Sequence, residues 1–396
     1  MIVGVPVESY PNERRVALVP AVVPALTKAG LEVMVETGAG KKAGFPDAAY
    51  QQQGARLAAD RAQLFSSADV LLQVHGLGGN PDAGHADLEL LRSGQVVLGL
   101  LNPLGAPETA RELAGRGITA FALELLPRIS RAQPMDALSA MATIAGYKAA
   151  LLGAGALQKM YPMMITAAGT ITPARVFVVG AGVAGLQAIA TSRRLGAVVQ
   201  AYDVRPAVKE QVESLGAKFL VLKLETEKAE ASGGYAQAMG EEFYRRQREM
   251  MTQAVAESDV VITTAAIPGK KAPTLLTQAM VEGMRPGSVI VDVAAEGGGN
   301  CELTRPGEAI EAHGVTILGP TNLPSTIPYH ASQMYAKNVT AFLLNLVKNG
   351  KLRVDLEDQI IRDTLLTHQG EVVNARVREL LGLPASSAPT DERSNS

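Results

Sequence analysis

Short apolar runs recur along the chain, each followed by a stretch whose apolar positions return every three or four residues. The first series comprises Ile2–Pro6, Glu32–Glu36, Asp69–Val74, Val96–Leu101 and Thr119–Leu123. Runs this short, rich in aliphatic residues and bounded by Gly, Pro or Asp, read as strands, and the stretches between them read as amphipathic helices. A second series begins at Val176 and continues at Val198–Tyr202, Lys218–Leu222, Val260–Thr264, Val289–Val293 and Thr316–Leu318. Alternating strand and helix signals parallel sheet covered by helices. Long helical patterns at Ala137–Met160 and His330–Lys348 stand where one series gives way to the other. The pattern predicts an α/β chain of two Rossmann-like, doubly wound parallel-sheet domains with a cleft between them. Residues 1–136 and 330–384 form the first domain, begun at the N-terminus and completed by the C-terminal segment. Residues 137–329 form the second. Residues 385–396, Ser, Pro and charge without large hydrophobes, are expected to be a disordered tail.

The second series opens on the most informative stretch, VFVVGAGVAGLQAIATSRRLGAVVQAYD at 176–203. Gly180, Gly182 and Gly185 follow a strand in GxGxxG spacing, a helical pattern runs through Leu186, Ile189 and Leu195, and a second strand ends on Asp203. Gly180 permits the tight turn, Gly182 lets backbone approach a pyrophosphate, and Gly185 lets helix and strand pack closely. The helix N-terminus offers free N–H groups to the anion. Asp203 stands where a carboxylate accepts from the adenosine ribose hydroxyls. Strand, helix, second strand and acid together read as a dinucleotide site rather than a glycine-rich turn. Arg205, just past the acid, could hold a 2′-phosphate. Asp203 would repel that phosphate, so the motif favours NAD over NADP.

One segment breaks the rhythm. About forty residues separate the strands at Lys218–Leu222 and Val260–Thr264, more than a strand–helix unit needs. They include Glu225, Glu227, Lys228 and Glu230, then Ala231-Ser232-Gly233-Gly234-Tyr235-Ala236, then an amphipathic stretch from Gly240 to Ala256. A hinge at Gly233-Gly234 with an aromatic beside it reads as a lid over the cofactor, the alternative being a surface excursion.

Composition narrows the class. The chain has 396 residues, 47% of them hydrophobic and 19% charged, enough for well-buried cores, and a net charge of −2 that argues against a nucleic-acid partner. Cys301 is the only cysteine, so no internal disulfide or Cys-based zinc cluster can form, and no metal site is expected. This suits a reducing cytoplasm. The apolar run at the N-terminus is too short for a signal peptide and meets Glu8. The most apolar region, Ala137 to Leu157, carries Lys148 and several glycines and reads as a buried helix rather than a membrane span.

Several motifs carry a family resemblance. Gly4-Val5-Pro6-Val7-Glu8 and Asn12-Glu13-Arg14-Arg15-Val16-Ala17, with GAGVAGLQA, resemble the alanine dehydrogenase and proton-translocating transhydrogenase superfamily. Arg128-Ile129-Ser130-Arg131-Ala132-Gln133-Pro134-Met135-Asp136 resembles the Arg–Gln–Asp loop of the transhydrogenase NAD(H)-binding component, the soluble domain I of its alpha subunit. Gly233-Gly234-Tyr235-Ala236 resembles that component's mobile loop. Ile267-Pro268-Gly269-Lys270 and Glu296-Gly297-Gly298-Gly299-Asn300-Cys301 also match, and the resemblance extends to about Lys348. The lysine and histidine that handle the keto acid in alanine dehydrogenases fall here on His75 and Asn102, which cannot do the same work. Arg15 is kept.

What the resemblance implies is an oxidoreductase that holds NAD(H) while a partner component holds NADP(H). The hydride passes directly between the two nicotinamides, and separate membrane-embedded subunits couple the transfer to proton translocation. Such transfer needs alignment rather than an acid or base. By resemblance, Arg128, Gln133, Asp136 and Ser139 position the nicotinamide and its ribose, with Ile129, Ser130, Pro134 and Met135 in the same cofactor-binding loop. Val183, Ala184 and Gly185 lie on the pyrophosphate turn, and Asp203, Val204 and Arg205 border the adenosine. Gly234, Tyr235, Gln247 and Ala266 are further NAD contacts. Without the resemblance, Arg128 reads as a solvated loop charge, and Asp136 and Ser139 as helix-capping residues. The family further implies a homodimer, cytoplasmic and peripheral to the inner (plasma) membrane through its partners. A self-contained NAD-dependent alanine or amino-acid dehydrogenase is the main alternative, and a non-catalytic NAD-binding regulatory subunit is another. His330, Glu296 and Cys301, scattered along the chain, are assigned no chemistry.

Overall fold

A computed structural model describes residues 1–221, 241–267 and 269–384, without the side chains of 241–244, 246, 247 and 250. The chain divides into two compact units, one of Met1–Ala140 with the chain from Ile327 onward, the other of Met141–Thr326.

The first unit is built on an eight-stranded sheet. Its parallel strands are β1 (Ile2–Val5), β2 (Glu32–Glu36), β3 (Arg56–Ala58), β4 (Val70–His75), β5 (Val96–Leu100) and β6 (Thr119–Ala122). From β1 the chain works outward through β2 to β3, then returns to the other side of β1 and continues through β4, β5 and β6. The order reverses between β1 and β4, where Val3 pairs with both Val33 and Val70. That reversal defines a doubly wound sheet. The strands read as continuous aliphatic runs because helices cover both faces, and Val3, Val5, Val35, Leu71, Leu98 and Phe121 are accordingly buried. The Pro328–Leu346 helix packs on this sheet, setting Phe342 edge-on to Phe121 and donating from the Tyr335 hydroxyl to the Gln73 carbonyl.

Two further strands, Leu365–His368 and Glu371–Val372, add antiparallel to the β6 edge. The hydrophobic pattern does not reveal them, nor β3, because runs of two to four residues are too short to show a period. The turn between the two is Gln369-Gly370, both in the left-handed region at φ 50° and 81°. This is the twist a two-residue hairpin requires.

The second unit carries a seven-stranded sheet with the same winding. After a small hairpin of β7 (Met164–Thr166) and β8 (Gly169–Ile171) come β9 (Arg175–Val179), β10 (Val198–Tyr202), β11 (Lys218–Phe219), β12 (Val260–Thr263), β13 (Val289–Asp292), β14 (Ala309–Ala312) and β15 (Val315–Leu318). β9 is central, with β10 and β11 on one side and β12, β13 and β15 on the other, all parallel. β14 pairs antiparallel with β15 at the edge, another short strand the pattern does not reveal. β11 stops at Phe219, short of the expected Leu222. The first long helix, Ala137–Ala156, ends before the expected Met160. Within the second unit it approaches the Val183–Arg194 helix so closely that a Cβ on Gly146 would lie 2.0 Å from the Ala184 carbonyl oxygen.

Candidate functional site

In the second unit, β9 delivers the chain into the glycine turn. Gly180 has φ 95°, and a Cβ there would lie 2.7 Å from the Thr264 hydroxyl. A Cβ on Gly185 would stand 1.8 Å from the Gly180 carbonyl oxygen, so only glycine lets the helix start this close to the strand. Gly182 is the N-cap of the Val183–Arg194 helix, and a Cβ there would meet nothing nearer than an Arg205 nitrogen at 3.9 Å. The space before the helix N-terminus is therefore open, and Val183 is exposed at its edge. These features fit the pyrophosphate of a dinucleotide: free N–H groups, positive dipole end and an unobstructed backbone.

Asp203, at the end of β10, is 8% exposed and bonded by the chain around it. Its Oδ2 accepts from the Ala181 N–H at 2.7 Å and from Arg205 Nη2 at 2.9 Å. Its Oδ1 accepts from the Arg205 N–H and Nε, both at 2.9 Å. Sequence reasoning treats the acid and the arginine as rivals. The structure makes them a bidentate pair that also ties the glycine turn to β10. Val204 is half-buried beside them.

Beyond β12, Thr264 donates to the Gly180 carbonyl at 3.0 Å. Ala265 follows, and Ala266 is exposed. Gly234 and Tyr235 lie outside the described residues, as does the side chain of Gln247 in the Glu241–Ala256 helix. The lid reading falls on the same stretch.

In the first unit, the loop 128–136 is a 3-10 turn, Ser130–Met135, framed by Ile129 and Asp136. Ala132 and Met135 are buried, while Arg128, Ser130, Gln133 and Pro134 are exposed. The turn is tied down from the C-terminal part of the unit. Arg131 donates to Asp358 at 2.9 Å, and Asn338 donates from Nδ2 to the Pro134 carbonyl at 2.8 Å. The Arg131 guanidinium holds the Asp358 carboxyl down at about 2. No local motif marks Asp358 or Asn338, since each meets the loop from more than 200 positions away. Asp136 accepts from the Ser139 N–H at 2.8 Å and from the Ser139 hydroxyl, capping the Ala137–Ala156 helix. Arg128 through Ser139 thus form one local group in the first unit, and Gly180 through Arg205 with Ala266 form another in the second.

The residues that would carry keto-acid chemistry also lie in the first unit. Arg15, buried at 3% exposure, donates to Glu13 from Nε at 2.8 Å and from Nη2 at 2.7 Å. His75 Nε2 is 2.9 Å from Arg15 Nη2, and Tyr10 stacks on the imidazole with ring centroids 4.5 Å apart. Glu8 accepts from the Val74 and His75 N–H groups, and burial pushes its carboxyl up to about 8. Asn102 sits in the left-handed region at φ 48°, and its N–H donates to Glu124, whose carboxyl burial raises to about 7. The Arg15 fork holds an internal carboxylate, and the amide of Asn102 can shuttle no proton.

Among known proteins, residues 4–145 match the family model described as "Alanine dehydrogenase/PNT, N-terminal domain", and 149–375 the one described as "Alanine dehydrogenase/PNT, C-terminal domain". The chain is 48% identical over 377 residues to the first of the separate chains of NAD(P) transhydrogenase subunit alpha in Rhodospirillum rubrum, covering 94% of this chain and 98% of that one. It is 32% identical over 406 residues to the alanine dehydrogenase of Bacillus subtilis, covering 100% of this chain and 99% of that one. Among solved structures, the transhydrogenase of Sinorhizobium meliloti superimposes with a TM-score of 0.84 at 45% identity, covering 94% of this chain and 100% of that one.

Proposed function

The chain belongs to the alanine dehydrogenase/PNT family, and from that membership we propose that it is the NAD(H)-binding subunit of a proton-translocating NAD(P) transhydrogenase. In this reading the chain works with an NADP(H)-binding component and with membrane-embedded subunits that carry the proton. It is a homodimer, cytoplasmic and held at the membrane by those partners. The observation that carries the reading is the glycine turn with its open helix N-terminus and the Asp203–Arg205 pair beside it.

Bound NADH supplies a hydride that passes directly to NADP⁺ on the partner. The chain's own residues bind and orient. The turn from Gly180 to Gly185 offers backbone N–H groups to the pyrophosphate, with Val183 and Ala184 on its open side. Asp203, Val204 and Arg205 border the adenosine. Gln133, exposed on the tethered 3-10 turn, offers a donor and an acceptor to the nicotinamide end. Arg128 supplies a donor fork there, and Asp136 and Ser139 share the same stretch. The higher identity to the transhydrogenase subunit than to alanine dehydrogenase supports this reading over a self-contained amino-acid dehydrogenase. So does the engagement of Arg15 with Glu13 and His75.

The test is single-turnover transfer from NADH to NADP⁺ when the chain is mixed with an NADP-binding transhydrogenase component. Transfer is expected with that component, and no turnover with alanine or pyruvate when the chain is alone. Gln133→Asn should slow transfer by about tenfold or more while NADH affinity stays nearly constant, the mark of lost orientation. Turnover with alanine or pyruvate at ordinary enzyme rates would replace the proposal with the dehydrogenase reading.

A further inference from the structure

The motif Glu296-Gly297-Gly298-Gly299-Asn300-Cys301 has no role in the transhydrogenase reading, and the structure shows what it builds. Gly298 and Gly299 turn the backbone through the left-handed region at φ 102° and 79°. A Cβ on Gly299 would lie 2.8 Å from an Asp292 carboxylate oxygen, so the chain can pass there only as glycine. The turn brings Asn300 back against the strand ends, fully buried.

Its carboxamide then pairs with Ala265 as a neighbouring strand would. Ala265 N–H donates to Asn300 Oδ1 at 3.0 Å, and Asn300 Nδ2 donates to the Ala265 carbonyl at 2.8 Å. Nδ2 also donates to the Pro273 carbonyl at 2.9 Å. The Asn300 backbone is fixed in turn by Asp292, at the end of β13. Asp292 Oδ2 accepts from the Asn300 N–H at 2.7 Å, the Cys301 N–H at 3.0 Å and the Thr304 hydroxyl at 2.7 Å. Its Oδ1 accepts from the Thr263 hydroxyl at 2.9 Å and the Ala294 N–H at 3.1 Å. A buried amide satisfied in this way is rigid, since any shift leaves a polar group unpaired.

Ala265 is the residue between Thr264, which bonds the Gly180 carbonyl, and the exposed Ala266. A Cβ on Gly180 would lie 3.2 Å from the Ala265 nitrogen, so this segment borders the glycine turn directly. We propose that Asn300 is a positioning residue for the dinucleotide, holding the Ala265–Ala266 backbone at the height where it forms a wall of the cofactor site. The inference rests on the nucleotide-binding reading and extends it to a residue that touches no ligand itself.

NADH affinity of the full chain, followed by nucleotide fluorescence, tests it. Asn300→Ala removes both bonds to Ala265 and should weaken NADH about tenfold or more, the equivalent of a single lost polar contact of about 1.4 kcal/mol. Ile290→Ala, a core truncation on β13 away from the turn, serves as the control for general loss of stability. It should lower the melting temperature while binding NADH like the parent at 10 °C. Asn300→Asp keeps the size and the acceptor for Ala265 N–H but removes the donor. It should also weaken NADH, and it is the variant to read if Asn300→Ala does not fold. Folded Asn300 variants that bind NADH within twofold of the parent overturn the proposal, as does equal weakening in Ile290→Ala. Failure of the parent itself to bind NADH would overturn the nucleotide-binding reading, and this inference with it.

Discussion

Asp203 and Arg205 show how a residue acquires its role from its neighbours. A carboxylate has about four acceptor positions. Asp203 gives them to Ala181 N–H and to the backbone and guanidinium of Arg205. The acid therefore does more than oppose a 2′-phosphate: it holds the arginine that could bind one. Asp203→Ala should loosen the glycine turn, weaken NADH by about tenfold, and narrow the preference for NADH over NADPH, because the guanidinium is released. In the double variant Asp203→Ala/Arg205→Ala the gain toward NADPH should vanish. Titration of both nucleotides against parent, single and double variants measures this. A single variant that keeps the parent's preference would show that the pair does not set it.

At the scale of elements, the Ala137–Ala156 helix is set by its first turn. Asp136 caps it, and Ser139 returns a hydroxyl to the same carboxylate. Asp136→Ala should cost about 1 kcal/mol of stability, and Asp136→Asn, which keeps a capping oxygen, should recover most of it. Urea unfolding of the three proteins reads the difference, and equal midpoints would remove the cap from the account. The Ser130–Met135 turn depends on the C-terminal segment through Arg131–Asp358 and Asn338–Pro134. Asp358 also caps the Gln359–Thr364 helix. Its carboxyl is depressed to about 2, so its contribution is present above its ordinary value near 4 and is lost as pH falls from there toward 2. Arg131 is largely exposed, so the ion-pair part is small. Asp358→Ala should therefore lower stability at neutral pH mainly through the lost cap, by about 1 kcal/mol, with the deficit shrinking toward pH 2. A deficit independent of pH would contradict the ionised pairing.

For the molecule as a whole, the buried carboxyls of the first unit give stability a pH slope. Glu8 and Glu124 are raised to about 8 and about 7 by burial. A raised carboxyl binds its proton more tightly in the folded state, so it favours folding at low pH and opposes it as pH climbs through the raised value. Stability should decline from about pH 4.5 toward pH 8 through these groups. For Glu124 alone the decline is at most about 3 kcal/mol at 1.36 kcal/mol per unit. Glu124→Gln, which keeps an oxygen for the Asn102 N–H, should flatten the slope below pH 7. Thermal melts at pH 5, 6 and 7 compare the two proteins, and parallel curves would mean Glu124 is ionised throughout.

The sequence by itself determined the repeated strand-and-helix winding. Strands buried on both faces must be aliphatic throughout, and that leaves runs such as Val176–Val179 and Val289–Val293 in plain view. It also determined the glycine turn, because Gly180 and Gly185 answer steric demands that no other residue meets. The family was legible for the same reason, through backbone-dictated motifs at fixed spacing. Tertiary structure decided what depends on partners far along the chain. The Arg131–Asp358 tie, the engagement of Arg15 by Glu13 and His75, and the pairing of Asn300 with Ala265 leave no period and no local signature. The short strands at Arg56–Ala58, Ala309–Ala312 and Leu365–Val372 belong with them. Each exists because a sheet edge offers it hydrogen bonds, and a few residues of chain carry too little pattern to announce an edge that only the folded sheet provides.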